Sequence, residues 1–254
     1  MAHTRSLMPS LIALSTFVWI SGGQAQEKLR TWSGFVFKGP DLSQPTPPTT
    51  FTYIRARWTQ PSVDCTTPSA RVSFWVGLDG DGTPTVEQVG TVAVCGDTAT
   101  PLYYKSFWEM YAGADSAGGE PFAVHPGDLI EASVRYADGL FELKLTDITS
   151  GLDISNTEAC SDKVVCKRAT AEWIVERPGG GKYPLADYGM VEFSDLLLTI
   201  SGKHVANYEI DMIQSGTTLS TCSPESSGGD FHTEAKAFNC KWLAADSGLL
   251  VGKP

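Results

Sequence analysis

The chain has little positive charge. Nineteen Lys and Arg stand against 29 Asp and Glu, a formal net charge of −10. That argues against nucleic acid as a partner, which needs a basic surface. Histidine is scarce as well: His3, His125, His204 and His232 are scattered, and no CxxC pair accompanies them. The usual zinc ligand sets are therefore missing, and no metal is expected. There is no GxSxG elbow, no HExxH and no phosphate-binding glycine loop. Nothing local supports a Ser/His/Asp triad. Asp79-Gly80-Asp81-Gly82 starts like a calcium loop, but Thr83 occupies the next ligand position and the later Glu is lacking. No long amphipathic helix and no repeat of 20–50 residues stands out.

Long apolar runs are also absent, apart from residues 11–20 (LIALSTFVWI). That run is too short to span a bilayer as a helix. With Arg5 before it and Gly23-Gln24-Ala25 after it, it reads as an export signal with the cut after Ala25. Removing 25 residues from 254 leaves 229, and removing Arg5 takes the charge from −10 to −11. The expectation is a secreted or periplasmic monomer with no membrane attachment, in which residues 26–254 form one domain. Carboxylates that neutralise in acid would relieve its self-repulsion at low pH. Six Cys lie beyond the signal: Cys65, Cys95, Cys160, Cys166, Cys222 and Cys240. An even number in an exported chain implies disulfides. Sequence alone leaves fifteen connectivities open, and pairing of sequence neighbours is the expectation: Cys65 with Cys95, Cys160 with Cys166, Cys222 with Cys240.

What fills the chain instead is short alternating runs. Residues 31–37, 51–58, 70–78, 85–95, 102–111, 129–136 and 140–146 read as strands, the last two as a hairpin around Ala137-Asp138-Gly139. Residues 190–193, 196–201 and 206–213 read as further short strands. The Pro- and Thr-rich stretch 41–50 reads as a loop. Residues 112–120 and 150–168 also read as loops, and 215–254 as a tail pinned by Cys222 and Cys240. In 70–78, Val72, Phe74, Val76 and Leu78 share one face, while Ser73, Trp75, Gly77 and Asp79 share the other. Many short punctuated strands predict an all-β sandwich or barrel.

Residues 170–178, TAEWIVERP, carry the most informative alternation. Ala171, Trp173 and Val175 point one way; Thr170, Glu172, Ile174 and Glu176 point the other. Glu172 is thereby fixed on a stiff element opposite a core Trp, a setting suited to a general base. Seven motifs appear in order: TWSGFVF, WVGLDG (75–80), Gln88-Val89-Gly90, FWEMY (107–111), PGDLIEASV (126–134), AEWIVERP (171–178) and PLADYGMVEF (184–193). As an ordered set they resemble the glutamic peptidases, or eqolisins, of fungi and bacteria. The resemblance runs from Trp32 to Phe193 and fades in the tail.

The resemblance implies a sandwich of two antiparallel sheets with a cleft on a concave face. It also implies an endopeptidase acting on polypeptides in acid, without metal or other cofactor. Carried over by motif, the catalytic pair is Gln88 and Glu172, with Trp75, Asp79 and Glu109 around it. In that scheme an ionised Glu172 takes a proton from water, Gln88 donates to the oxyanion, and protonated Glu172 supplies the leaving amine. The chain departs from the family pattern at Lys105, Met110 and Ala112, where a different substrate-contacting wall is expected. Two other readings stay open on the residues alone. One is a carbohydrate-binding sandwich without catalysis. The other is a glycosidase pairing Glu172 with Glu109 or Glu176.

Overall fold

The computed structural model describes residues 25–29, 31–96, 101–202, 205–224 and 236–244, the first segment through its backbone pairing alone. The expected export signal, save Ala25, lies outside the described residues, as do His3, His204 and His232.

Among the described residues, fifteen strands make up the fold. They are β1 (Ala25–Leu29), β2 (Trp32–Lys38), β3 (Thr50–Thr59), β4 (Arg71–Leu78), β5 (Val86–Cys95), β6 (Pro101–Tyr111), β7 (Ala117–Gly119) and β8 (Leu129–Ala137). After them come β9 (Leu140–Asp147), β10 (Leu152–Ala159), β11 (Thr170–Glu176), β12 (Met190–Ser201), β13 (Ala206–Gln214), β14 (Thr217–Pro224) and β15 (Ala237–Trp242). A single 3-10 turn, Gly113–Asp115, precedes β7. Hydrogen bonding runs without a break along β10-β9-β8-β3-β12-β15-β14-β13-β2-β11-β4-β5-β6-β7, and β1 adds to β13 in parallel.

The path folds back on itself into two layers, so that β3, β8 and β9 face β11, β4 and β5. Two indoles cross the interior to fix this packing. Trp173 Nε1 on β11 donates to the Arg55 carbonyl on β3 at 3.0 Å, and Trp58 Nε1 on β3 donates to Thr91 Oγ1 on β5 at 3.3 Å. Each buried N–H thus finds an acceptor in the opposite layer. Val72, Phe74, Val76 and Leu78 on β4 and Ala171, Trp173 and Val175 on β11 belong to one buried core, as their alternation requires. A smaller apolar cluster of Val36, Trp75, Val86, Ile174 and Ile210 lies on the other face of the same strands, under Trp32 and Phe107. These strands are therefore buried on both faces, and the second cluster is the floor of the concave side.

All three neighbour pairings of cysteines are present: Cys65–Cys95, Cys160–Cys166 and Cys222–Cys240. Four readings need correction. Residues 112–120 contain the short strand β7, whose small exposed residues give no apolar alternation to read. Residues 150–168 contain β10, an outer strand with a mostly polar, exposed sequence; Ile154 packs against the core, too little to make an apolar face that can be read. Residues 190–193 and 196–201 are one strand, β12, interrupted by a register shift between Ser194 and Leu197. The tail contributes β14 and β15, which sit inside the sheet between β13 and β12, with Cys222 directly opposite Cys240. Among the described residues, no helix is long and apolar enough to cross a membrane.

Candidate active site

The side chains of interest come from one row across four adjacent strands. Glu172 on β11 stands opposite Gly77 on β4, Gly77 opposite Gln88 on β5, and Gln88 opposite Glu109 on β6. Residues in register share a face, so Glu172, Gln88 and Glu109 all project toward the concave side. Glu172 and Gln88 are two strand spacings apart, about 10 Å between backbones. The residue between them has no side chain. A Cβ at position 77 would meet the Trp75 ring at 2.9 Å and the Glu87 carbonyl oxygen at 3.2 Å. The Trp75 ring therefore packs over Gly77 between the two polar groups, and only a residue without a side chain leaves room for it.

Glu172 is fully buried. Its Oε1 accepts from Thr170 Oγ1 at 2.5 Å and from the Asp81 amide at 3.2 Å. Its Oε2 has no protein partner. Loss of hydration pushes the carboxyl well above the ordinary Glu range; the two donors pull the other way, and the nearby Asp79 and Asp81 charges add to the rise. Gln88 is almost buried, and its Nε2 donates to Glu109 Oε2 at 2.7 Å. Gln88 Oε1 has no protein partner. Glu109 is also raised, by burial, against the bond from Gln88.

A groove of about 370 Å³ opens beside this row, lined among others by Gln88, Glu109, Phe107, Trp108, Gly119 and Glu176. Glu176, two residues beyond Ile174 on the same face of β11, accepts from Trp75 Nε1 at 2.8 Å. Burial raises its pKa to about 7, despite donors from Trp75 and Trp32, and the Glu109 charge adds to the rise. Lys105, whose cation departs from the family pattern, pairs with Glu120 at 2.9 Å on the rim.

The five residues singled out by sequence separate into four places. Gln88 and Glu109 touch each other and line the groove. Glu172 shares their row but lies beneath the turn that carries Asp81. Trp75 faces the concave side as read, yet it is wholly buried against Trp32 (ring centroids 5.0 Å apart) and forms floor rather than wall. Asp79 ends β4, where its carboxylate accepts the Arg168 and Ala169 amides at 2.6 and 2.8 Å. It anchors the entry to β11 and is not in hydrogen-bond contact with Gln88. Burial raises its pKa, and those two amides oppose the rise.

Met110 and Ala112, expected in a substrate-contacting wall, instead line a second cavity of about 80 Å³ with Glu87. Met110 alternates with Glu109 and so faces away from the groove. Glu87 alternates with Gln88 and is also buried; desolvation, and then the Asp79 charge, raise its pKa well above the ordinary value against the pull of Thr85 and Arg168. Sequence reasoning passed over Thr170, Asp81 and the Trp75–Glu176 bond. The face shared by Thr170, Glu172 and Glu176 was the available signal. Among the described residues no cluster of His, Cys, Asp or Glu is arranged to hold a metal.

A family model described as the peptidase A4 family matches residues 30–232. No curated protein sequence matches the chain. Among solved structures, scytalido-glutamic peptidase with a peptide-based transition state analog is 24% identical with a TM-score of 0.65, covering 84% of this chain and 98% of that one. SCP-B, an eqolisin in complex with the tripeptide Ala-Ile-His, is 22% identical with a TM-score of 0.59 and the same coverages. Aspergilloglutamic peptidase from Aspergillus niger is 23% identical with a TM-score of 0.55, covering 68% of this chain and 99% of that one. At these identities the structural likeness speaks for the fold.

Proposed function

The chain belongs to the peptidase A4 family, the glutamic peptidases, and from that premise we propose that it is an exported endopeptidase that cleaves polypeptides in acid with Glu172 and Gln88 as its catalytic pair. The observation that carries this reading is the row Glu172–Gly77–Gln88, with a residue lacking a side chain between the two polar groups. The three disulfides fit an oxidising compartment outside the cytosol.

The chemistry follows from which atoms are free. Burial favours the neutral form of Glu172. Its Oε1 already takes two donors, so the proton belongs on Oε2. This differs from the ionised base that the sequence suggests; an unperturbed carboxyl would be partly ionised in acid, a desolvated one is not. A neutral carboxyl starts as the acid. As water attacks the scissile carbonyl carbon, Glu172 Oε2–H protonates the carbonyl oxygen, and the resulting carboxylate takes a proton from the added water. The tetrahedral diol is then neutral and Glu172 is again protonated. It next protonates the amide nitrogen, the C–N bond breaks, and the proton left on the new carboxylic acid returns to Glu172. Gln88 serves both partners: the second Nε2–H donates to the carbonyl oxygen, and Oε1 accepts from the attacking water. A Gln amide keeps both functions at any pH.

The test is cleavage of an acid-denatured protein at about pH 4 with pepstatin and a chelator present. Wild type is expected to cleave. Glu172→Gln should lose about 10²–10⁴ in rate as a missing acid–base group, and Gln88→Ala about 10²–10³ as a missing oxyanion donor. Wild-type rates in a folded Glu172→Gln variant would overturn the assignment.

A further inference from the structure

The turn between β4 and β5 lies over Glu172, and its hold on the carboxyl has a visible support. The Asp81 amide donates to Glu172 Oε1, while the Asp81 side chain pairs with Lys38 Nζ at 2.6 Å. That pair is largely shielded, with side-chain exposures of 20% for Lys38 and 14% for Asp81. Lys38 comes from β2, directly opposite Thr170, the second donor to Glu172 Oε1. Its ammonium also sits 5.2 Å from the centre of the Tyr208 ring on β13. The turn itself is closed by the Gly80 amide donating to Thr83 Oγ1 at 2.6 Å. A chain of contacts therefore runs from β13 through Lys38 and Asp81 to one oxygen of Glu172. Neither Lys38 nor Asp81 lines the groove.

We propose that the Lys38–Asp81 ion pair is a clamp that holds the Asp81 amide on Glu172 Oε1, so that Lys38 and Asp81 are positioning residues for the reaction. The proposal rests on Glu172 being the catalytic acid. With both donors in place, Oε1 is committed as the acceptor and Oε2 alone bears the mobile proton. Without the clamp the turn can lift, the carboxyl can rotate, and the proton-bearing oxygen is no longer fixed. Misplacement of a reacting group by about 1 Å costs on the order of 10²-fold. The cost falls on kcat, because the substrate groove is untouched. The amide bond also favours the ionised carboxyl, so its loss moves the ionisation of Glu172 upward. The charged groups packed around Glu172 are Lys38 from β2 and Asp79 and Asp81 from the turn, with Tyr208 behind Lys38; the Arg168 guanidinium turns away onto the Tyr136 ring.

The experiment compares Lys38→Met, Lys38→Arg, Asp81→Asn and Lys38→Met/Asp81→Asn with wild type and Glu172→Gln, each confirmed folded by circular dichroism. Rates are measured on one peptide substrate across pH. Lys38→Met and Asp81→Asn are expected to lose about 10- to 10²-fold in kcat with KM little changed. The alkaline limb of Lys38→Met should move to higher pH; in Asp81→Asn the lost Asp81 charge, which raises Glu172, opposes that move. The double variant should lose no more than either single one, and Lys38→Arg should retain most of the rate. Wild-type kcat in Lys38→Met or Asp81→Asn would overturn the clamp, as would an unshifted limb in Lys38→Met, a loss confined to KM or a Lys38→Arg variant as impaired as Lys38→Met. Should Lys38→Met fail to fold, Asp81→Asn decides by kcat and KM, since it keeps the backbone amide and removes only the charge. An active Glu172→Gln would instead reject the catalytic assignment.

Discussion

The proposed chemistry turns on single carboxyls, and their surroundings set them apart. Glu172 has two donors on one oxygen and none on the other, whereas Glu176 has indole donors from Trp75 and Trp32. Glu176 is raised from 4.5 to about 7, so its neutral form is favoured in the folded chain. The sign follows directly: the stabilising contribution is complete below pH 4.5 and lost as pH rises through about 7. A shift of that size corresponds to about 3 kcal/mol. Glu176→Gln keeps an acceptor for Trp75 without a titrating proton. It is expected to match wild-type stability at pH 4 and to exceed it by up to about 3 kcal/mol at pH 8, measured by urea unfolding. Equal stability at both pH values would show that Glu176 is not desolvated as described. At this scale the sequence was informative about faces. The alternation in TAEWIVE put Thr170, Glu172 and Glu176 together, and they are together. It could not reveal that Glu172 is covered, because the cover comes from Asp81, 91 residues away.

At the scale of elements, function depends on register. Gly77 lies between Glu172 and Gln88 only because β4 pairs with β11 on one side and β5 on the other at fixed offsets. Gly77→Ala is expected to push the Trp75 ring from its place over position 77. Its kcat should fall by on the order of 10²-fold, the cost of a small misplacement, while the chain still folds. Near-normal kcat in that variant would mean that the placement of the Trp75 ring between the pair does not bear on the reaction. Strand pairing was not legible in the sequence, since register is fixed by partners far along the chain. β4 and β11 could be read because one face alternates into the core. β10 could not, as an exposed edge has no such face. β14 and β15 were hidden for another reason: they insert between β12 and β13, and only Cys222 and Cys240 hinted at their contact. Replacing both of those cysteines with Ala opens a loop of 18 residues. The expected loss is about 3 kcal/mol, read from the urea midpoint; no loss would mean that the strand pairing holds the tail unaided.

The whole molecule carries the same bias toward acid. Burial raises Asp79, Glu87, Glu109, Glu172, Glu176 and Glu209 above their ordinary values. Asp41 and Asp147 are lowered by local hydrogen bonds. Raised groups favour the folded chain below their unfolded pKa and lose that contribution as pH climbs, and lowered ones do the reverse near pH 3–4. Thermal stability should therefore peak in mild acid and decline toward pH 8, with the high net negative charge adding to the decline. A melting temperature that climbs steadily from pH 4 to pH 8 would refute this. The acidic composition is consistent with an acid-working protein, although it could not say which carboxyls were buried. Whether Glu172 works from its neutral form is the most consequential point, and kcat/KM against pH from 2 to 8 tests it most directly, since that ratio reports the free enzyme. With a desolvated neutral Glu172, activity should be full in acid and fall through an apparent pKa well above 4.5. Activity that instead rises from acid toward neutrality would mean that the ionised carboxylate is the working form, and would contradict the mechanism.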